Sequence, residues 1–244
     1  QLNNPESLAD LSPYVKDFSS DRYFTNIVEG SKTDGVLYQL PISFGVEGII
    51  AKTKDVSSYG NGFTFDEYTR FVDEAANGKD PIIYGQAVYF AMLFSGMSDK
   101  FISNGKVDLS GPEFKALADY IKDNVREEGI SWNAWYQSTM SDGPQPNAFL
   151  AWGDGVDGIA DYYSEGMMIA TSGKGVSLLG IPSVDGRGPR FAPTCSVAVS
   201  AKTVDKKACG EFIKILLSDE IQTKIALNDH FVISREAFEK AGYD

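Results

Sequence analysis

GIIAKTKDVSSYGNGFTFDEYTRFVDEAANG (48–78) holds both kinds of regular element within one short stretch. GIIA (48–51) is a brief apolar run that starts at a glycine and ends at a lysine, the pattern of a buried strand. Thr64 stands three residues before Glu67, the spacing of a capping box, in which hydroxyl and carboxylate satisfy each other's backbone N–H groups. Tyr68, Phe71, Val72 and Ala75 then fall on one helical face, so an amphipathic helix is expected to run to about Gly78.

The same alternation continues on both sides. Ser110 and Glu113 repeat the capping-box spacing, ahead of a stripe of Phe114, Leu117, Ala118, Ile121 and Val125 that should end near Gly129. AVYFAMLFS (87–95) is apolar all round and reads as a buried helix. MMIA (167–170), VSLLGI (176–181) and CSVAVS (195–200) read as further strands, whereas NAFLAW (147–152) reads as a poor one. TMSDGPQPN (139–147) and PSVDGRGPRFAPT (182–194) are rich in Pro and Gly and read as loops. Strands alternating with helices define an α/β chain with at least partly parallel sheets.

Charge and composition narrow the function. The 244 residues are 43% hydrophobic and 23% charged, and 22 basic against 34 acidic residues give a net charge of -12. A field of that sign repels phosphate backbones, and no basic stripe offsets it, so no nucleic-acid partner is expected. No apolar run approaches the roughly 20 residues that cross a bilayer as a helix. Cys209 shares a helical stripe with Phe212, Ile213 and Leu216 and is expected in a core; a bridge to Cys195 is the alternative. No metal site and no cofactor is expected from two cysteines and the single histidine, His230.

Four chemical motifs are present only in part. Gly153, Gly155 and Gly158 match G-x-G-x-x-G, but a weak strand precedes them, Asp154 and Asp157 would oppose a pyrophosphate, and no acidic residue follows at ribose distance. Asp154 and Glu165 match positions 1 and 12 of a calcium loop, yet Ile159 occupies the position that needs glycine. His230 has no nucleophile elbow near it. A carboxylate pair for glycoside hydrolysis can be drawn from so many acids without any positive signal. No catalytic residue is assigned, and a non-catalytic protein is expected.

The positive signal is aromatic. Trp132, Trp135 and Tyr136, then Trp152, Tyr162 and Tyr163, lie among Gly, Asn, Asp and Gln. Flat rings beside hydrogen-bonding groups suit a ligand with both C–H faces and hydroxyls, such as a sugar. Rings that merely cover a sheet are the alternative.

ADLSPYVKD (9–17), TDGVLYQLPISFGVEGIIAKTKDV (33–56) and FTFDEYTRFVDEAA (63–76) resemble the extracellular solute-binding proteins of ABC importers, in the family 1 type branch that binds sugars and oligosaccharides. GIPSVDGRGPRF (180–191), SVAVSAKTVDKKACGEFIKILLSDEIQTKIA (196–226) and FVISREAF (231–238) resemble the same family in the same order. Lys52 and Thr53 stand where the family carries Tyr-Asn, and residues 80–175 match only loosely.

The resemblance implies an α/β, periplasmic-binding-protein-like (type II) architecture of two lobes, here an internal fragment with the first lobe incomplete. Residues 1–40 and 195–244 would form part of the first lobe, 51–180 the second, and 41–50 and 181–194 the crossings between them. A carbohydrate would be captured in the interlobe cleft and delivered to the importer's membrane subunits. A non-sugar receptor and a glycan-active hydrolase are the alternatives. Trp152 is expected as a stacking platform and Asp154 as a hydroxyl acceptor, with Trp135, Tyr162, Ser43, Phe44 and Glu47 as further contacts. The protein would be an extracellular or periplasmic monomer, held to the membrane only by a lipid anchor or by the transporter, with its signal segment outside this chain.

Overall fold

The computed structural model describes residues 4–75, 78, 84–131, 148–153 and 175–242; for 148–153 it describes the backbone. In chain order these form α1 (Ser12–Val15), α2 (Thr25–Gly30), β1 (Leu40–Lys52), α3 (Thr53–Val56), β2 (Gly62–Thr64), α4 (Phe65–Ala75), α5 (Gln86–Gly96), α6 (Ser98–Phe101), β3 (Ile102–Ser103), β4 (Lys106–Val107), α7 (Pro112–Asn124), β5 (Ala148–Gly153), β6 (Val176–Ser183), β7 (Arg190–Val197), α8 (Lys206–Leu216), α9 (Asp219–Ala226), β8 (Phe231–Val232) and α10 (Arg235–Lys240). The strand order is β2-β6-β1-β5, and β7 and β8 also pair with β1, so the mixed α/β fold is organised on one strand.

β1 is far longer than its apolar run GIIA. Thirteen residues are extended, and every position is buried except Glu47 and the terminal Lys52. Such continuous burial is what a strand with neighbours and cover on all sides requires.

The chain divides into two compact units. The first comprises Gln1–Val46, Trp152–Ala160 and Phe191–Asp244; the second comprises Glu47–Ala151 and Asp161–Arg190. The backbone passes between them along β1, after Val46, along β5, after Ala151, and along β7, after Arg190.

In the first unit β8 pairs antiparallel with β1, Ser43 opposite Val232 and Phe44 opposite Phe231. Three helices cluster at the chain's C-terminal part, and Asp205, Ser218 and Ser234 each cap one by accepting a backbone N–H. Gln222, wholly buried on α9, donates to the Leu216 carbonyl and accepts from the Ser234 N–H, so the polar group inside this core is satisfied. The α8 stripe is rotated from the expected one: Gly210, Ile213 and Leu217 are buried, Cys209 is half-buried, and Phe212 is exposed. Both cysteines are free, so the alternative bridge is not formed.

In the second unit β6 runs antiparallel to β1, with Ile49 opposite Leu179, and β2 runs parallel to β6. Tyr68, Phe71 and Val72 of α4, Leu93 of α5 and Leu117 of α7 are fully buried against Ile49, Phe63 and Leu179. The Thr64 box forms as expected: Thr64 N–H donates to Glu67 Oε2 at 2.8 Å, and Glu67 N–H to Thr64 Oγ1 at 3.3 Å. The Ser110 box does not form. Ser110 turns its hydroxyl to Asp108 at 2.6 Å, leaving Gly111 as the cap and Pro112 at the first helical position, where its missing N–H costs nothing.

Four other expectations change. α5 buries Tyr89, Met92 and Leu93 but exposes Val88, Ala91 and Ser95, so it covers the core with one face only. Ala148–Gly153, a weak strand by pattern, is β5, because pairing with β1 outweighs intrinsic preference. Much of PSVDGRGPRFAPT (182–194) is strand, leaving 184–189 as the turn between β6 and β7. The strand expected over 195–200 is therefore β7, which begins at Arg190 rather than at Cys195. MMIA (167–170) lies outside the described residues.

Candidate functional site

Glu47 is the one charged residue within β1 before its last position. Its side chain is 17% exposed and its Oε2 is completely buried, facing the guanidinium Nη2 of Arg190 in an ion pair. A carboxylate taken from water needs such a partner, since an unpaired buried charge costs several kcal/mol or more. Arg190 is the first residue of β7 and the last residue of the second unit, while Glu47 is that unit's first.

Arg190 is held at a second point. Its Nη1 donates to Ser95 Oγ at 2.9 Å, which ties the guanidinium to the C-terminal end of α5. Both contacts lie on one rigid planar group, so carboxylate and hydroxyl together fix its orientation.

The turn beneath is tightly packed. Ser183 Oγ accepts the Arg187 N–H at 2.8 Å, and Gly186 has φ +66°, a left-handed backbone that suits glycine. The returning chain then lies against β6: a Cβ on Gly180 would stand 1.9 Å from the Arg187 carbonyl oxygen. This close approach sets where Arg187 and Arg190 emerge. Arg187 is held between Asp185 and Asp99, each at 2.8 Å, and these carboxylates keep it firmly protonated. A cavity of about 280 Å³ opens beside the turn, lined by Ser95, Gly96, Ile181, Ser183, Arg187, Gly188, Pro189 and Arg190.

The other expected contacts are dispersed. Ser43 and Phe44 belong to the first unit, 4% and 3% exposed. Ser43 Oγ shares a hydrogen bond of 2.9 Å with Thr194 Oγ1, and Phe44 packs among Phe24, Phe191 and Phe231 with ring centroids 5.6–5.9 Å apart. Trp152 lies on β5. Trp135, Asp154 and Tyr162 lie outside the described residues. Arg190 and Ser95 were not anticipated. The available signal was the lone carboxylate in an apolar strand, which demands a cation from elsewhere in the chain. Among the described residues no group of three or more His, Cys, Asp or Glu could hold a metal ion, and no helix is long and apolar enough to cross a membrane.

The fold is similar to that of solved solute-binding proteins of ABC transporters. Solved structures with this fold include the sugar-binding protein MalE from Xanthomonas citri, with a TM-score of 0.63 and 16% identity, matching 97% of this chain and 64% of that one. Maltose-bound MalE3 of T. maritima follows at 0.54 and 18%, covering 97% and 65%. A solute-binding protein from Thermotoga lettingae bound with α-D-tagatose gives 0.53 and 12%, again covering 97% and 65%. The present chain spans about 65% of the length of the solved structures it resembles. No protein-family model matches the sequence, and no curated protein matches it.

Proposed function

We propose that this chain captures a sugar or oligosaccharide in an interlobe cleft, without chemical conversion, for delivery to an ABC importer. The observation that carries the reading is Glu47: a largely enclosed carboxylate, oriented by Arg190, at the point where the central strand enters the second unit. An oriented carboxylate is a strong acceptor for a ligand hydroxyl. The fold supports the same reading, because proteins that share it are described as binding maltose and tagatose.

In this reading residues 1–40 and 195–244 contribute to the first lobe and 51–180 to the second, with crossings at 41–50 and 181–194. Trp152, Trp135 and Tyr162 supply stacking faces, Asp154 and Glu47 accept hydroxyls, and Ser43 and Phe44 shape the crossing. The protein acts as a monomer outside the cytoplasm, at the cell surface or in the periplasm, meeting the membrane through a lipid anchor or the importer's membrane subunits.

Calorimetric titration with maltose, maltotriose, chitotriose and α-D-tagatose tests this directly. Binding of one of them in the wild-type chain, weakened in Trp152→Ala, is the expected result. No binding to any neutral sugar, together with binding of a peptide or a polyamine, would replace this function with that of a non-sugar receptor.

A further inference from the structure

We propose that Arg190 is the positioning and specificity-determining residue of this site: by clamping Glu47 it makes a charge-neutral donor–acceptor pair that selects uncharged, hydroxyl-bearing ligands. The inference rests on the reading of Glu47 as a ligand contact and goes beyond it by assigning the selectivity to a different residue.

Three observations converge on Arg190. First, β1 is buried throughout its interior except at Glu47, where an apolar side chain of similar volume would serve stability at least as well as an ion pair. A carboxylate there calls for a purpose other than stability. Second, Arg190 reaches Glu47 through Nη2 and Ser95 through Nη1, so its fork is fixed before any ligand arrives. Preorganised groups bind with less loss of side-chain freedom. Third, Arg190 remains 50% exposed and lines the cavity with Ser95, Ser183 and Arg187, so part of the fork is still open to solvent.

The chemistry follows from the pairing. Glu47 offers an acceptor, Arg190 a donor, and their charges cancel locally. One hydroxyl donating to the carboxylate and another accepting from the guanidinium are matched together by a neutral polyol. An amino sugar would meet the guanidinium's like charge, and a uronic acid would meet the carboxylate's. Charge juxtaposition of this kind sets specificity more than it sets raw affinity.

The test uses Arg190→Met, Arg190→Lys and the double variant Glu47→Gln/Arg190→Met, titrated with three monosaccharide-scale probes: the neutral sugar bound by the wild type, glucosamine and glucuronate. Arg190→Met is expected to weaken the neutral sugar by about tenfold to a hundredfold. It should also move selectivity toward glucosamine, because Glu47 is left uncompensated. Arg190→Lys should restore the preference against glucosamine and recover only part of the affinity, since it returns the charge without the fork. Where Arg190→Met fails to fold, the double variant carries no unpaired charge; it should fold, bind the neutral sugar weakly and lose discrimination between the charged probes. Neutral-sugar binding with affinity and selectivity unchanged in the Arg190 variants overturns this inference alone. A wild type that binds no neutral sugar overturns the function and the inference together.

Discussion

At Thr64 and Glu67 the chemistry is short-range, and the sequence was sufficient to read it. The two residues meet within one helical turn, so no distant part of the chain decides the outcome. The Thr64 backbone N–H, followed by its hydroxyl, holds the Glu67 carboxyl below the usual carboxylate range. Its folded value is therefore depressed, and its contribution is complete at neutral pH, where both folded and unfolded states are ionised. As pH falls past about 4 the unfolded chain takes up the proton first, and the contribution disappears as pH passes the folded value. Denaturant unfolding of Glu67→Gln should accordingly show a stability deficit at pH 7 that shrinks below about pH 4. Thr64→Ala should cost about 1 kcal/mol at pH 7. A deficit that stays constant with pH would show that the carboxylate is not the operative acceptor. Ser110 shows the limit of the same signal: the spacing is identical, but Asp108 competes for its hydroxyl. Glu47 was accessible through family resemblance, whereas Arg190 was not, because only the folded sheet brings β7 beside β1.

Among the elements, α5 and β1 show what periodicity leaves open. α5 is apolar on every side, so its pattern gives no direction, and the buried face is chosen by the neighbours it meets: β6 and α7. Leu93 is fully buried among the second unit's aromatic side chains, while Val88 is about half exposed on the same helix. Leu93→Ala should destabilise by about 2–5 kcal/mol through lost burial and the cavity left behind. Val88→Ser should stay within about 0.5 kcal/mol, as at other surface sites. Chemical denaturation of the two variants separates the faces, and equal losses would mean that Val88 is covered by something else in solution. β1 presents the opposite case. LPISFGV contains a proline and a glycine and gives weak local preference, yet β1 as a whole, paired with β5, β6, β7 and β8, is extended along its full length. A strand fixed by its partners is hard to read alone, which also explains why β5 looked weak.

For the chain entire, the net charge of -12 separates the sugar reading from its nearest rival without knowledge of any contact. A cationic solute such as a polyamine would be drawn by this field, and its affinity would fall as added salt screened it. A neutral sugar gains nothing from the field, and in the proposed site it would meet the Glu47–Arg190 pair, whose two charges already compensate each other. Its dissociation constant should therefore change by less than about twofold between 20 mM and 300 mM salt, a range over which the Debye length falls by a factor of roughly four. Thermal unfolding gives the same answer independently. A ligand that binds only the folded chain adds about 2.7 kcal/mol of stability at a hundred times its dissociation constant. For a neutral sugar that increment should be equal at both salt concentrations, once each is compared with its own ligand-free baseline. The baseline itself should rise with salt, because screening relieves the repulsion among the excess carboxylates. A ligand-induced increment that collapses at high salt would identify the bound solute as charged, and would place the recognition in the acidic field rather than in the compensated pair.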